Sequence, residues 1–111
     1  MPRDSKVYLE DMLEAATKVR RYTIGMTRDQ LAENSIVLDA VVRNLEVLGE
    51  AAKNVPEDMR AAHPEVEWKR IAGLRDILIH QYFGVDVDII WDIRQNKLPS
   101  LIEKVRGIHD S

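Results

Sequence analysis

Residues 31–55, LAENSIVLDAVVRNLEVLGEAAKNV, contain no proline and a single glycine, Gly49. Leu31, Leu38, Val41, Val42, Leu45, Leu48 and Ala52 recur at spacings of three and four, the period of a helix. Thr27 and Gln30 just before the stretch fit a capping box, and Pro56 stops it. A long helix from Thr27 to Pro56 is expected. Its apolar side chains fall around most of the circumference, so the other elements should pack about it.

Those elements also read as helices. In SKVYLEDMLEAATKVRRYTIG, Ser5 is the expected N-cap and Gly25 the end, with Leu9, Met12, Ala16 and Val19 in register between them. PEDMRAAHPE, with Pro56 and Pro64, reads as a short helix or turn. A third major helix should run from about Val66 to Ile79 or Tyr82, where FGVD breaks it. Asp86 can cap the last, VDIIWDIRQNKLPSLIEKVRGI, which Pro99 should kink or split. No segment alternates with a period of two for long enough to make a sheet. The expected fold is all-α, an up-and-down bundle of four to five helices forming one domain over 1–111.

Composition narrows the chemistry. Aromatic residues are 5% of the chain, so the core must be aliphatic. With no cysteine, disulfides, thiolate metal sites and cysteine nucleophiles are excluded. A net charge of −3 argues against nucleic-acid binding through bulk charge, but leaves room for a local phosphate site. The N-terminus lacks the apolar run of a signal peptide and no window reaches membrane-spanning length, so a cytoplasmic location is expected.

Residues 73–86, GLRDILIHQYFGVD, carry Arg75, Asp76, His80 and Tyr82 within eight positions. On an ideal helix Ile71, Leu74 and Leu78 form a core stripe, with Lys69, Gly73, Asp76 and His80 opposite. Gly73 is costly inside a helix by about 1 kcal/mol relative to alanine, and suits a close backbone approach such as a dimer interface. An unbroken helix would point Arg75 and His80 about 140° apart. Either the helix ends before His80 or two copies share a site. Arginine grips phosphate through its planar fork, and histidine exchanges a proton near neutrality. Together they could cleave RNA without metal or cofactor, His80 activating the 2′-hydroxyl and Arg75 stabilising charge on the phosphorane. On residue types alone, such a set is more often a hydrogen-bonded edge than a reaction site.

RDILIHQY has the form R-x-x-x-x-H-x-Y, which resembles the signature of the HEPN superfamily and specifically its HepT branch. LEVLGEAAK, Trp68 before IAGLRD, the YFGVD turn and the W…LP tail extend the resemblance over about residues 34–105. It implies a homodimeric toxin of a type VII toxin–antitoxin pair, acting as a metal-independent RNase. The implied partner is MntA, a minimal nucleotidyltransferase that silences the toxin by transferring AMP onto the motif tyrosine. On this sequence Arg75 and His80 become the catalytic pair and Tyr82 the AMP acceptor. Asp76 stands where many relatives carry Asn; it could orient His80, yet it adds negative charge beside a phosphate site. The alternative is a non-catalytic binding subunit of a nucleotidyltransferase complex. A third reading is a nucleotide-binding dimer without hydrolysis.

Asp39, Arg43, Glu46 and Glu50 share one stripe of the long helix. Residue types favour a solvated, salt-bridged face; the other reading has Arg43 and Glu46 supporting Arg75 or His80 in the cleft. Lys69, Arg70 and Arg75 could form a short basic stripe guiding RNA. Trp68, Trp91, Tyr8 and Tyr22 read as packing residues, His63 as a loop residue and His109 as part of a fraying tail.

Overall fold

The computed structural model describes residues 4–80 and 84–111, with the main chain alone at Ile79 and His80. Eight α-helices occupy the described residues: α1 (Ser5–Tyr22), α2 (Arg28–Glu33), α3 (Ser35–Asn54), α4 (Glu57–Ala62), α5 (Trp68–Ala72), α6 (Leu74–Leu78), α7 (Val87–Asp92) and α8 (Leu98–Asp110). A π-helical turn, Ile93–Lys97, joins α7 to α8. The fold is all-α apart from a two-residue antiparallel ladder, β1 (Ile79–His80) against β2 (Gly84–Val85).

Local chemistry places the helix starts. The capping box at Thr27 and Gln30 forms as expected, and the Asp86 carboxylate accepts the Ile89 amide at 3.2 Å to start α7. The cap of α1 is Asp4 rather than Ser5, its carboxylate accepting the Lys6 amide at 2.9 Å. At the other end Thr23 is fully buried, and its hydroxyl donates to the Val19 carbonyl at 2.8 Å. Helix α1 therefore stops at Tyr22, and Gly25, at φ 75°, turns the chain onward.

Two expected helices are interrupted. The long one is split at Asn34, whose side chain accepts the Val37 amide at 3.1 Å and caps a fresh helix. Asparagine competes for backbone amides in this way, which is why it favours caps over helix interiors. The third breaks at Gly73 and then ends at Leu78, so the run to Ile79 or Tyr82 is corrected. Near Pro99 the regular α pattern gives way to the π turn, as a residue without an N–H requires.

The core is aliphatic, with Leu9, Met12, Leu31, Leu45, Leu48, Leu78, Ile90 and Leu98 essentially inaccessible and Trp68 its one buried aromatic among the described residues. The Trp68 indole donates to the His63 carbonyl at 2.9 Å, so it anchors the core. Trp91 is half-buried and carries the Arg94 guanidinium 5.2 Å above its ring. Arg94 in turn donates to the Thr23 hydroxyl at 2.8 Å, tying the π turn to the end of α1. Tyr8 packs against the core, whereas Tyr22 lies at the surface under Arg21. Helix α3 buries Val41, Val42, Leu45, Leu48, Gly49, Ala51 and Ala52, about half its circumference rather than most of it. Its other half is mostly polar, with Ile36 exposed near the helix start.

Candidate functional site

That polar half of α3 forms one wall of an open groove of about 530 Å³. Arg43, Glu46, Glu50 and Lys53 line it from α3, Arg75 and Asp76 from α6, and Tyr8 and Asp11 from α1. Arg43 and Glu46 thus share a concavity with Arg75, the placement required by the sharper of their two readings. Arg43 and Arg75 are exposed, and neither forms an ion pair with any described residue. Helical neighbours three and four apart commonly pair when their charges are opposite. Here Arg43 and Glu46 do not, so the expectation of a salt-bridged face is corrected for this pair.

The groove is mixed in charge: three cations stand among Asp11, Glu46, Glu50 and Asp76. Lys69 and Arg70 lie elsewhere, along a shallow depression beside Glu57 and Trp68, and Arg70 is paired with Glu67 at 3.5 Å. They do not extend a basic stripe to Arg75. Lys53 and Gly49 are groove residues that the sequence reading did not single out. Lys53 continues the Arg43, Glu46, Glu50 stripe, so helical spacing could have found it. Gly49 is visible only once α3 meets the α5–α6 junction.

Helix α6 ends two residues before His80, whose main chain pairs with Gly84 across the ladder. The constraint of an unbroken helix on Arg75 and His80 therefore falls away, as one of the two alternatives required. Gly84, at φ 77°, supplies a conformation that other residues rarely adopt, which permits the ladder to form there. Tyr82 lies outside the described residues.

Histidine pairing elsewhere is peripheral. His63 Nδ1 stands 3.3 Å from Glu65, and His109 lies 3.0 Å from both Glu10 and Asp110. Asp110 first and Glu10 second hold the His109 imidazole above its ordinary pKa. Instead of fraying, that tail is pinned to α1. Among the described residues no three His, Asp or Glu side chains are grouped to hold a metal ion, and no helix is long and apolar enough to cross a membrane.

The helical fold suits the HEPN class that the sequence resembles. The chain belongs to its HepT-like family: the model described as Ribonuclease HepT-like matches residues 12–108. It is 45% identical over 109 residues to "Putative RNase MJ0127" of Methanocaldococcus jannaschii, covering 97% of this chain and 90% of that protein. It is 41% identical over 109 residues to "Probable ribonuclease HepT" of Thermococcus cleftensis, covering 96% of this chain and 99% of that protein. A bacterial relative, "Putative RNase TTE0752" of Caldanaerobacter subterraneus, is 40% identical over 101 residues, 91% of this chain and 90% of that protein. No solved structure matches the chain.

Proposed function

We propose that this chain is a single HEPN domain acting as the ribonuclease toxin of a toxin–antitoxin pair in the cytoplasm, with Arg75 and His80 as its catalytic residues. The observation that carries the reading is Arg75, exposed in an open groove without a carboxylate partner among the described residues, in a chain of the HepT-like family. An unpaired guanidinium is free to take a phosphate in bidentate fashion. In the reaction His80 removes the proton of a ribose 2′-hydroxyl, and the resulting oxygen attacks the adjacent phosphorus. Arg75 holds the charge that builds on the phosphorane oxygens. The P–O5′ bond breaks, leaving a 2′,3′-cyclic phosphate and a 5′-hydroxyl that takes up a proton. No metal or cofactor is needed.

A second copy of the chain would cover exposed Ile77 on α6, an apolar contact, in a homodimer. Control would come from an MntA-type nucleotidyltransferase placing AMP on Tyr82. The added phosphate and base would repel and obstruct an RNA backbone. Arg43 is the second phosphate contact in this account, Glu46 its neighbour, and Asp76 a carboxylate able to orient His80.

The four groove carboxylates favour a second reading, in which the chain is the non-catalytic binding subunit of a nucleotidyltransferase complex. Induced expression without the partner separates the two. The toxin reading expects growth arrest and cut RNA from wild type, neither from Arg75→Ala or His80→Ala, and escape from silencing by Tyr82→Phe. Equal growth and intact RNA in all four cultures, with soluble folded protein, would leave the binding subunit.

A further inference from the structure

Gly49 lies buried at the middle of the groove wall, where α3 crosses the α5–α6 junction. A Cβ built there would stand 2.8 Å from the Ile71 carbonyl oxygen, 3.7 Å from the Ala72 carbonyl oxygen and 3.7 Å from the Leu74 Cβ. All three atoms belong to the junction. Carbon–oxygen contacts below 3.0 Å are essentially never seen for a real Cβ, and the atom met here is main chain, so it cannot swing aside. Helix propensity alone favours alanine at an interior position, so it does not account for the glycine; the contact does.

The junction is also where the chain changes direction before the motif. The Gly73 amide closes α5 by donating to the Ile71 and Lys69 carbonyls, and the Asp76 amide donates to the Gly73 carbonyl at 3.1 Å as α6 begins. Arg75 follows the break by two residues. Whatever fixes the Ile71 carbonyl therefore fixes the start of the five-residue helix that presents Arg75 to the groove. By contrast, a Cβ at Gly73 would meet the Lys69 carbonyl oxygen at 3.4 Å and the Arg70 carbonyl oxygen at 3.8 Å, both within α5 itself, so within this chain the close approach of another helix lies at Gly49.

We infer that Gly49 is a positioning residue: its bare Cα lets α3 seat the α5–α6 junction at the depth that aims Arg75 into the groove. The inference rests on the ribonuclease reading for its catalytic consequence and on geometry alone for the placement. In Gly49→Ala the junction must retreat from 2.8 Å toward the 3.4 Å of ordinary contact, carrying Arg75 with it. Misplacement on that scale should lower kcat by about tenfold, with KM changing less.

The test has two arms on the intact chain. The first is a double-mutant cycle on RNA cleavage, comparing Gly49→Ala in the wild-type and Arg75→Lys backgrounds at a temperature where all are folded by circular dichroism; the lysine keeps a charge but not the fork, so slow cleavage stays measurable. The glycine acting through Arg75 predicts about tenfold in the first background and less than twofold in the second. Val105→Ala, a core change in α8 away from the junction, should retain kcat under the same conditions. The second arm is the amide spectrum of Gly49→Ala, in which shifts should concentrate at residues 71–76. This arm stands even where wild type cuts no RNA, a result that overturns the ribonuclease reading by itself. Equal losses in both backgrounds, a Val105→Ala loss of the same size, unmoved amides at 71–76, or a Gly49→Ala chain that does not fold would each overturn the positioning role.

Discussion

Helix α6 separates two concavities of opposite character. On one side Arg75 and Asp76 face the polar groove shared with α1 and α3; on the other Leu74 and Ile77 border an apolar groove of about 350 Å³ with Ile89, Ile93 and Leu101 from the α7–α8 arm. One five-residue helix serves both. The polar side depends on Arg43 and Arg75, which form no ion pair with a described residue, whereas the apolar side depends on area removed from water, which is additive and tolerant of shape. In the proposed function chemistry is assigned to the first and association to the second.

Perturbing one side should leave the other largely intact. The largest effect is expected from His80→Ala, with cleavage falling by about 10²–10⁴-fold while the circular dichroism spectrum is unchanged. Gel assays on a defined RNA would read it. Leu78, fully buried at the end of α6, reports on the fold beneath both grooves. Leu78→Ala should cost about 2–5 kcal/mol in urea unfolding, and a cost below about 1 kcal/mol would mean that α6 is not anchored where it lies. Ile77, 43% exposed, should behave differently. Ile77→Glu should change monomer stability by no more than about 0.5 kcal/mol, yet shift a dimer toward monomer in light scattering. Retention of the wild-type mass would place the proposed interface elsewhere. Arg43→Ala should weaken RNA binding uniformly across sequences and reduce the slope of log K against log salt by about one.

The smallest effect concerns His109. Its pKa is raised by Asp110 and Glu10, so its contribution to stability is complete below the ordinary value of 6.5 and disappears as pH rises through the raised one. His109→Gln should therefore narrow the difference in thermal midpoint between acidic and mildly alkaline buffer. Equal pH dependence in the two proteins would discount the pairing.

The same division explains what could be read before the structure. Signals carried within one turn were readable: the Thr27–Gln30 box, the Asp86 cap, and the Ile71, Leu74, Leu78 stripe that is buried as expected. Breaks that depend on a competing local bond were not. Asn34 looks tolerable within an apolar period until its side chain takes the Val37 amide. Asp4 displaced Ser5 as a cap because either residue can serve and only geometry chooses. The close approach within the chain falls at Gly49, a tertiary fact with no local signature. For the site, spacing brought Arg43, Glu46, Arg75 and Asp76 into consideration and the fold gathers them. Their lack of mutual pairing followed from side-chain placement alone.

The central claim is that this chain cuts RNA through Arg75 and His80 without a metal. The most direct measurement incubates purified wild type, Arg75→Ala and His80→Ala with total RNA in excess chelator and maps the new ends by sequencing. The account predicts discrete cuts ending in 2′,3′-cyclic phosphate from wild type, and none above background from either variant. Intact RNA with folded wild type, or the same cuts from His80→Ala, would contradict it.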